Sequence, residues 1–446
     1  MTPSDALRAV SIFGAIVVML ALLRAGKKFM PITAEQLRKI VHVATGALAI
    51  SFPWIFSSRN PVFLVCALAM LLLLGIRYFS PLHKSLSGVL DGVERESRGD
   101  LYFPASIAIL FALARGNKLL YVIPILVLTF ADTVAALLGE QYGKHGYAGM
   151  TGTKSMEGSI AFFTVAFLAV HVPLLLFAQL GRPETLLIAL DIGLIVTLLE
   201  AIAWRGLDNV FIPLGVFILL HIYTAMPVSF LLARFAAALI LLVFVTLYRS
   251  RTTLQGSALL ASALVLYASW AIGDWRWLIA PATLFVAYPL FSAEKLQWED
   301  RTHNVYSVLS VASAGLVWVF LAQAKRGPAL LFPYTLGYTI HLALLGWTLG
   351  VTRRPARKAW RLGPWLVVES WLLLFVPYLF LQQPMSRASV WESLAALPIC
   401  GIAFAIFCAI ELRTDGLYSV GPMRWIRQAA IALLLTALAA GASSLL

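Results

Sequence analysis

Apolar residues run along this chain in blocks of about 17 to 22, separated by short polar stretches, from residue 6 to the far end. Each block is roughly enough to cross the ~30 Å hydrocarbon layer as a helix. The expected spans are 6–23, 41–57, 61–79, 101–114, 119–138, 159–178, 184–203, 209–225, 227–247, 254–272, 275–292, 304–323, 329–350, 362–381, 391–410 and 426–445. The pattern predicts an all-α, polytopic membrane protein with about 14–16 transmembrane helices. The first block ends in LLRAGKKF without an A-x-A cleavage site, so it is expected to stay as a helix.

Alternating those spans across a bilayer sends 24 of the 34 Lys and Arg residues to one side, among them the RRPARKAWR cluster at 353–361. By the positive-inside rule that side is cytosolic, with the N-terminus outside. Composition agrees, since 61% hydrophobic and 12% charged residues are too apolar for a soluble fold of 446 residues. The net charge of +13 fits basic loops beside an anionic membrane surface, and no nucleic-acid partner is expected. Cys66, Cys400 and Cys408 lie in apolar runs without a C-x-x-C pair, which points to packing instead of zinc or disulfides. The loops change character near residue 250: acids, glycines and amides occur in specific arrangements before it, and short basic loops follow. Two regions, 1–250 and 251–446, are therefore expected.

The stretch at 130–158, FADTVAALLGEQYGKHGYAGMTGTKSMEG, carries the densest chemistry. Asp132 stands in an apolar run, where a carboxylate costs about 2.5 to 3.5 kcal/mol at mid-helix and less near an end. On a helix, Asp132, Ala135, Gly139 and Gly143 share one face, open to close approach by a ligand or by another backbone in a small-xxx-small contact. Around it, Arg38 and Lys39 precede the second span, as phosphate-facing groups or as interface anchors, and His42 lies one helical turn beyond Arg38 at its start. DGVERESRGDLYFPAS places Arg98 and a glycine at a helix mouth, suited to phosphate or simply solvated. Glu200, Asp208 and Asn209 are oxygen donors of the kind Mg²⁺ takes, although Asp208 or Asn209 also suits a helix cap. Gly152-Thr153-Lys154-Ser155 is close to a P-loop ending, but it lacks the glycine before the lysine, and no strand is expected ahead of it.

Five segments in order, LRKIVH at 37–42, SRGDLYFP at 97–104, ADTVAALLGEQYGKH at 131–145, TGTKSMEGS at 151–159 and WRGLDNVFIPL at 204–214, resemble the polyprenol kinase family. That family includes dolichol kinase, phytol kinase and the CTP-dependent diacylglycerol kinase. The resemblance covers roughly residues 35 to 225 and implies a membrane enzyme transferring the γ-phosphoryl group of CTP to a lipid alcohol at the cytosolic face. It implies Asp132 and Asp208 as metal ligands for Mg²⁺, with Asp132, Lys154 and Asp208 as catalytic residues. Arg38, Lys39, Arg98, Gly139, Gly143, Lys154, Glu157 and Asn209 are implied around the nucleotide and its phosphates. A diacylglycerol kinase or a phosphatidate cytidylyltransferase is the alternative within lipid chemistry. An ion-coupled transporter is the alternative outside it, since Asp191, Arg234 and Glu369 are set within apolar runs.

Overall fold

The computed structural model describes residues 2–26, 29, 32–78, 99–149, 152–248, 254, 256–292, 304–325, 330–353, 360–382, 385–413 and 422–443. Arg98, and residue 250 where the loops change character, lie outside these residues. Among them, sixteen helices each coincide with one of the sixteen expected spans, and ten are long and apolar enough to cross a membrane. The protein is an all-α polytopic membrane protein.

Two compact units divide the chain, Met1–Ala238 and Leu239–Leu446. The first holds α1 (Pro3–Gly26), α2 (Ala34–Ile50), α3 (Arg59–Tyr78), α4 (Gly99–Ala114), α5 (Lys118–Tyr142), α6 (Met156–Phe177), α7 (Arg182–Ile202) and α8 (Asp208–Tyr223). The helix α9 (Val228–Tyr248) carries the division within it.

Three local features shape the first unit. First, α2 begins well ahead of the expected residue 41, because Thr33 and Gln36 form a capping box that starts the helix at Ala34. This draws Arg38 and Lys39 into the same helix as His42 and makes it amphipathic. Second, α5 contains a turn of π-helix, Val127–Ala131, directly before Asp132. Such a turn widens the backbone spiral and frees carbonyls for other partners. Third, α5 and α6 are joined by a β-hairpin of β1 (Gly146–Gly149) and β2 (Gly152–Ser155), paired antiparallel. A strand thus precedes Lys154, contrary to the expectation of none. It pairs with its neighbour and does not feed a phosphate loop.

The second unit comprises α10 (Gly256–Ile272), α11 (Trp275–Ser292), α12 (Val305–Lys325), α13 (Leu331–Arg353), α14 (Gly363–Leu381), α15 (Arg387–Glu411) and α16 (Pro422–Ser443). Several of its buried polar side chains pair with one another. Gln428 and His341 meet at 3.0 Å, Arg427 and Glu411 at 2.6 Å, and the Tyr334 hydroxyl donates to Ser269 at 3.0 Å. Polar groups in lipid need such partners, and these tie neighbouring helices together.

Candidate functional site

The site is built from the seam between α2 and α5. A Cβ added at Gly46 would lie 2.6 Å from Thr129 Cγ2, so only glycine lets α2 settle against the π turn. One turn earlier on that face, His42 Nε2 is 3.3 Å from the Leu128 carbonyl within the π turn and 4.0 Å from Asp132 Oδ2. Two turns earlier, Lys39 Nζ donates to Asp132 Oδ2 at 2.6 Å. The spacing of 39, 42 and 46 is the three- and four-residue step of one helical face. Lys39 is only 5% exposed, so this is a largely desolvated ion pair.

A second pair stands across the mouth of the same cavity. Lys154 Nζ, on β2, donates to Glu200 Oε1 at 2.6 Å and also to the Glu200 carbonyl at the end of α7. The chain then turns through Arg205 (φ 51°) and Gly206 (φ 86°), both left-handed, and enters α8 at Asp208. Left-handed backbone is strained for Arg and easy for Gly. This turn brings Asp208 back beside Glu200, within electrostatic range of Asp132, Lys154 and Lys39.

Asp208 does not cap its helix. Leu207 occupies the cap position, and no side chain closes the first turn. Asp208 Oδ1 and Asn209 Oδ1 are both buried without a hydrogen-bond partner among the described residues, while Asn209 Nδ2 donates to the Gly206 carbonyl at 3.3 Å. Buried carboxylate and amide oxygens left without a donor are costly unless something else meets them. A hard divalent cation is such a group. Among the described residues no three His, Cys, Asp or Glu side chains form a ready metal cage. Mg²⁺ does not require one, because it keeps several waters and takes one or two carboxylates together with substrate phosphates. The donor set at 208–209 therefore fits Mg²⁺.

Other residues singled out in the sequence have different surroundings. Glu157 accepts from the His145 ring at 2.7 Å and from its backbone N–H at 3.3 Å, which ties the base of the hairpin to α6 outside the cavity. The glycine face of α5 seats the turn into α6. A Cβ at Gly143 would be 2.8 Å from Ser155 Cβ, and one at Gly139 would be 3.0 Å from Ser155 Oγ. Close approach by backbone, one of the two readings of that face, is what occupies it, although both glycines still border the cavity.

The two ion pairs, His42, Asp208 and Asn209 surround one cavity of about 1170 Å³ within the first unit. Its polar end is lined by Arg38, Lys39, Asp132, Lys154, Glu200, Asp208 and Asn209. Arg77, Asp100, Glu140 and Arg205 also line it. Asp100, Glu140 and Arg205 fall within the resembling segments but were not singled out there, and Arg77 lies outside them with only its charge at a helix end as a signal. Beyond His42 the lining becomes apolar, with Ala49, Phe52, Cys66, Ala69 and Leu72 among its residues.

Comparison with known proteins bears on this arrangement. The chain is 29% identical over 209 residues to the phytol kinase of Synechocystis sp., a match covering 46% of this chain and 86% of that protein. No protein-family model matches the chain, and no solved structure matches it.

Proposed function

We propose that this protein is a lipid alcohol kinase, transferring the γ-phosphoryl group of CTP to a prenyl alcohol of the phytol, dolichol or polyprenol type at the cytosolic membrane face. The observation that carries the reading is a single cavity that is charged and oxygen-rich at one end and hydrocarbon-lined at the other. A lipid alcohol has that polarity: its hydroxyl belongs at the mouth and its tail in the chamber. The similarity to a phytol kinase supports the same chemistry, and the choice of CTP follows the family resemblance of the five segments.

Phosphoryl transfer asks little covalent help of a protein; it asks for neutralised phosphate charge and an attacking oxygen held in line. Arg77 and Arg205 stand exposed at the mouth, where guanidinium forks suit phosphate oxygens. Lys39 and Lys154 are each held by an acid, so they contribute fixed positive potential more than mobile contacts. Asp208 and Asn209 would hold Mg²⁺, which when bound offsets triphosphate charge. The alcohol oxygen attacks the γ-phosphorus, the bond to the β-phosphate oxygen breaks, CDP leaves, and the hydroxyl proton is released. Charge gathered at the cavity mouth, instead of spread along a path through the membrane, favours this reading over a transporter.

The test is to follow CTP with purified protein, Mg²⁺ and geranylgeraniol and identify the nucleotide released. CDP is the expected product, with ATP a much poorer donor. Pyrophosphate would assign a cytidylyltransferase, and equal use of ATP would contradict the nucleotide assignment.

A further inference from the structure

The apolar half of the cavity shows which part of an acceptor the protein measures. α2 and α3 are joined by a short connection and run antiparallel, so depth can be read along α3 from Arg77 at the charged end. At 1.5 Å per residue, Leu72 lies about 8 Å below Arg77, Ala69 about 12 Å and Cys66 about 16 Å. That depth reaches roughly the middle of a ~30 Å hydrocarbon layer. Opposite them on α2 is Ala49, whose carbonyl accepts from the Tyr121 hydroxyl at 3.0 Å. At the bottom stands Phe52, 3% exposed, with Phe56 edge-on to it at 5.6 Å.

Small residues between membrane helices ordinarily let the backbones close up until the gap is filled. Here Ala49, Cys66 and Ala69 also border open volume. Protein interiors do not leave such space without an occupant or a cost in lost contacts. The volume is hydrocarbon-lined at this end, with Phe52 among its deepest lining residues, and continuous with the charged mouth.

We infer that this chamber between α2 and α3 seats the hydrocarbon tail of the acceptor as one extended chain, and that Ala69 and Cys66 set the chain length accepted. The inference rests on the kinase reading for the reaction by which it is measured. Ala69, nearer the mouth, sets a shorter limit when enlarged, and Cys66 a longer one.

The experiment compares geraniol, farnesol and geranylgeraniol, which share a head group and differ by one isoprene unit each, in the full chain reconstituted in vesicles. Ala69→Phe should lower kcat/KM for geranylgeraniol at least about tenfold while leaving geraniol within about twofold. Cys66→Phe should show the same trend more weakly. Leu71→Phe, on the outward face of α3 where Leu71 is 64% exposed, should alter neither. Retained geraniol turnover shows that each variant is folded. Equal loss for all three alcohols in both chamber variants would overturn the inference, as would faster turnover of dioleoylglycerol than of geranylgeraniol by the unaltered protein.

A second readout needs no turnover. A prenyl alcohol bearing a terminal diazirine should crosslink to α2 or α3 in the unaltered protein and lose that labelling in Ala69→Phe. Labelling elsewhere overturns the chamber assignment; labelling there in a protein that phosphorylates none of the alcohols overturns the kinase reading alone.

Discussion

Asp132 is where residue chemistry is most constrained. Its isolation in an apolar run was legible in the sequence, as were Lys39 and Lys154 as cations near the membrane edge. What could not be read was that each lysine is matched to a particular acid, because Lys39–Asp132 and Lys154–Glu200 join residues far apart in the chain. The pairing changes what a substitution should do. Asp132→Asn leaves Lys39 desolvated without its counter-charge, a loss of about 3 kcal/mol for a partly buried pair. Turnover should fall at least about a hundredfold, or roughly 3 kcal/mol of transition-state stabilisation. Adding Lys39→Met removes the orphaned charge, so thermal stability should recover while turnover does not. If turnover recovers along with stability, Asp132 is a structural acid and nothing more.

At the scale of elements, the helices were legible because runs of hydrophobic residues are long and their ends are charged. Two features escaped that logic. The π turn before Asp132 has no compositional mark, since Val127–Ala131 is as apolar as the α-helix around it. The hairpin at Gly146–Ser155 is too short and glycine-rich to show a strand period. The seam between α2 and α5 depends on Gly46, and a methyl there meets the Thr129 side chain. Gly46→Ala should therefore push α2 outward, cost about 1–3 kcal/mol of stability by overpacking and weaken turnover by disturbing the Lys39–Asp132 contact. Thr129→Ala in the same chain should restore part of both. Unchanged melting temperature and turnover in Gly46→Ala alone would show that the seam does not position the site.

In the molecule as a whole, every residue around the cavity belongs to the unit Met1–Ala238. The second unit carries buried polar pairs of its own, such as His341–Gln428. A chain ending at residue 254 should accordingly bind CTP with affinity within about threefold of the full protein, measured in detergent by equilibrium dialysis. Loss of binding by a truncated chain that retains its helical circular dichroism would mean the second unit completes the nucleotide site. In the proposed reaction the charged mouth delivers a phosphoryl group to an alcohol held in the hydrocarbon chamber below it. The measurement that tests it most directly is the fate of the γ-phosphorus of labelled CTP, followed in the unaltered protein and in Asp208→Asn with geranylgeraniol present. Label should appear in a lipid monophosphate for the unaltered protein and at least about a hundredfold less for the variant. Label recovered only as inorganic phosphate or pyrophosphate, with none in the lipid, would contradict it.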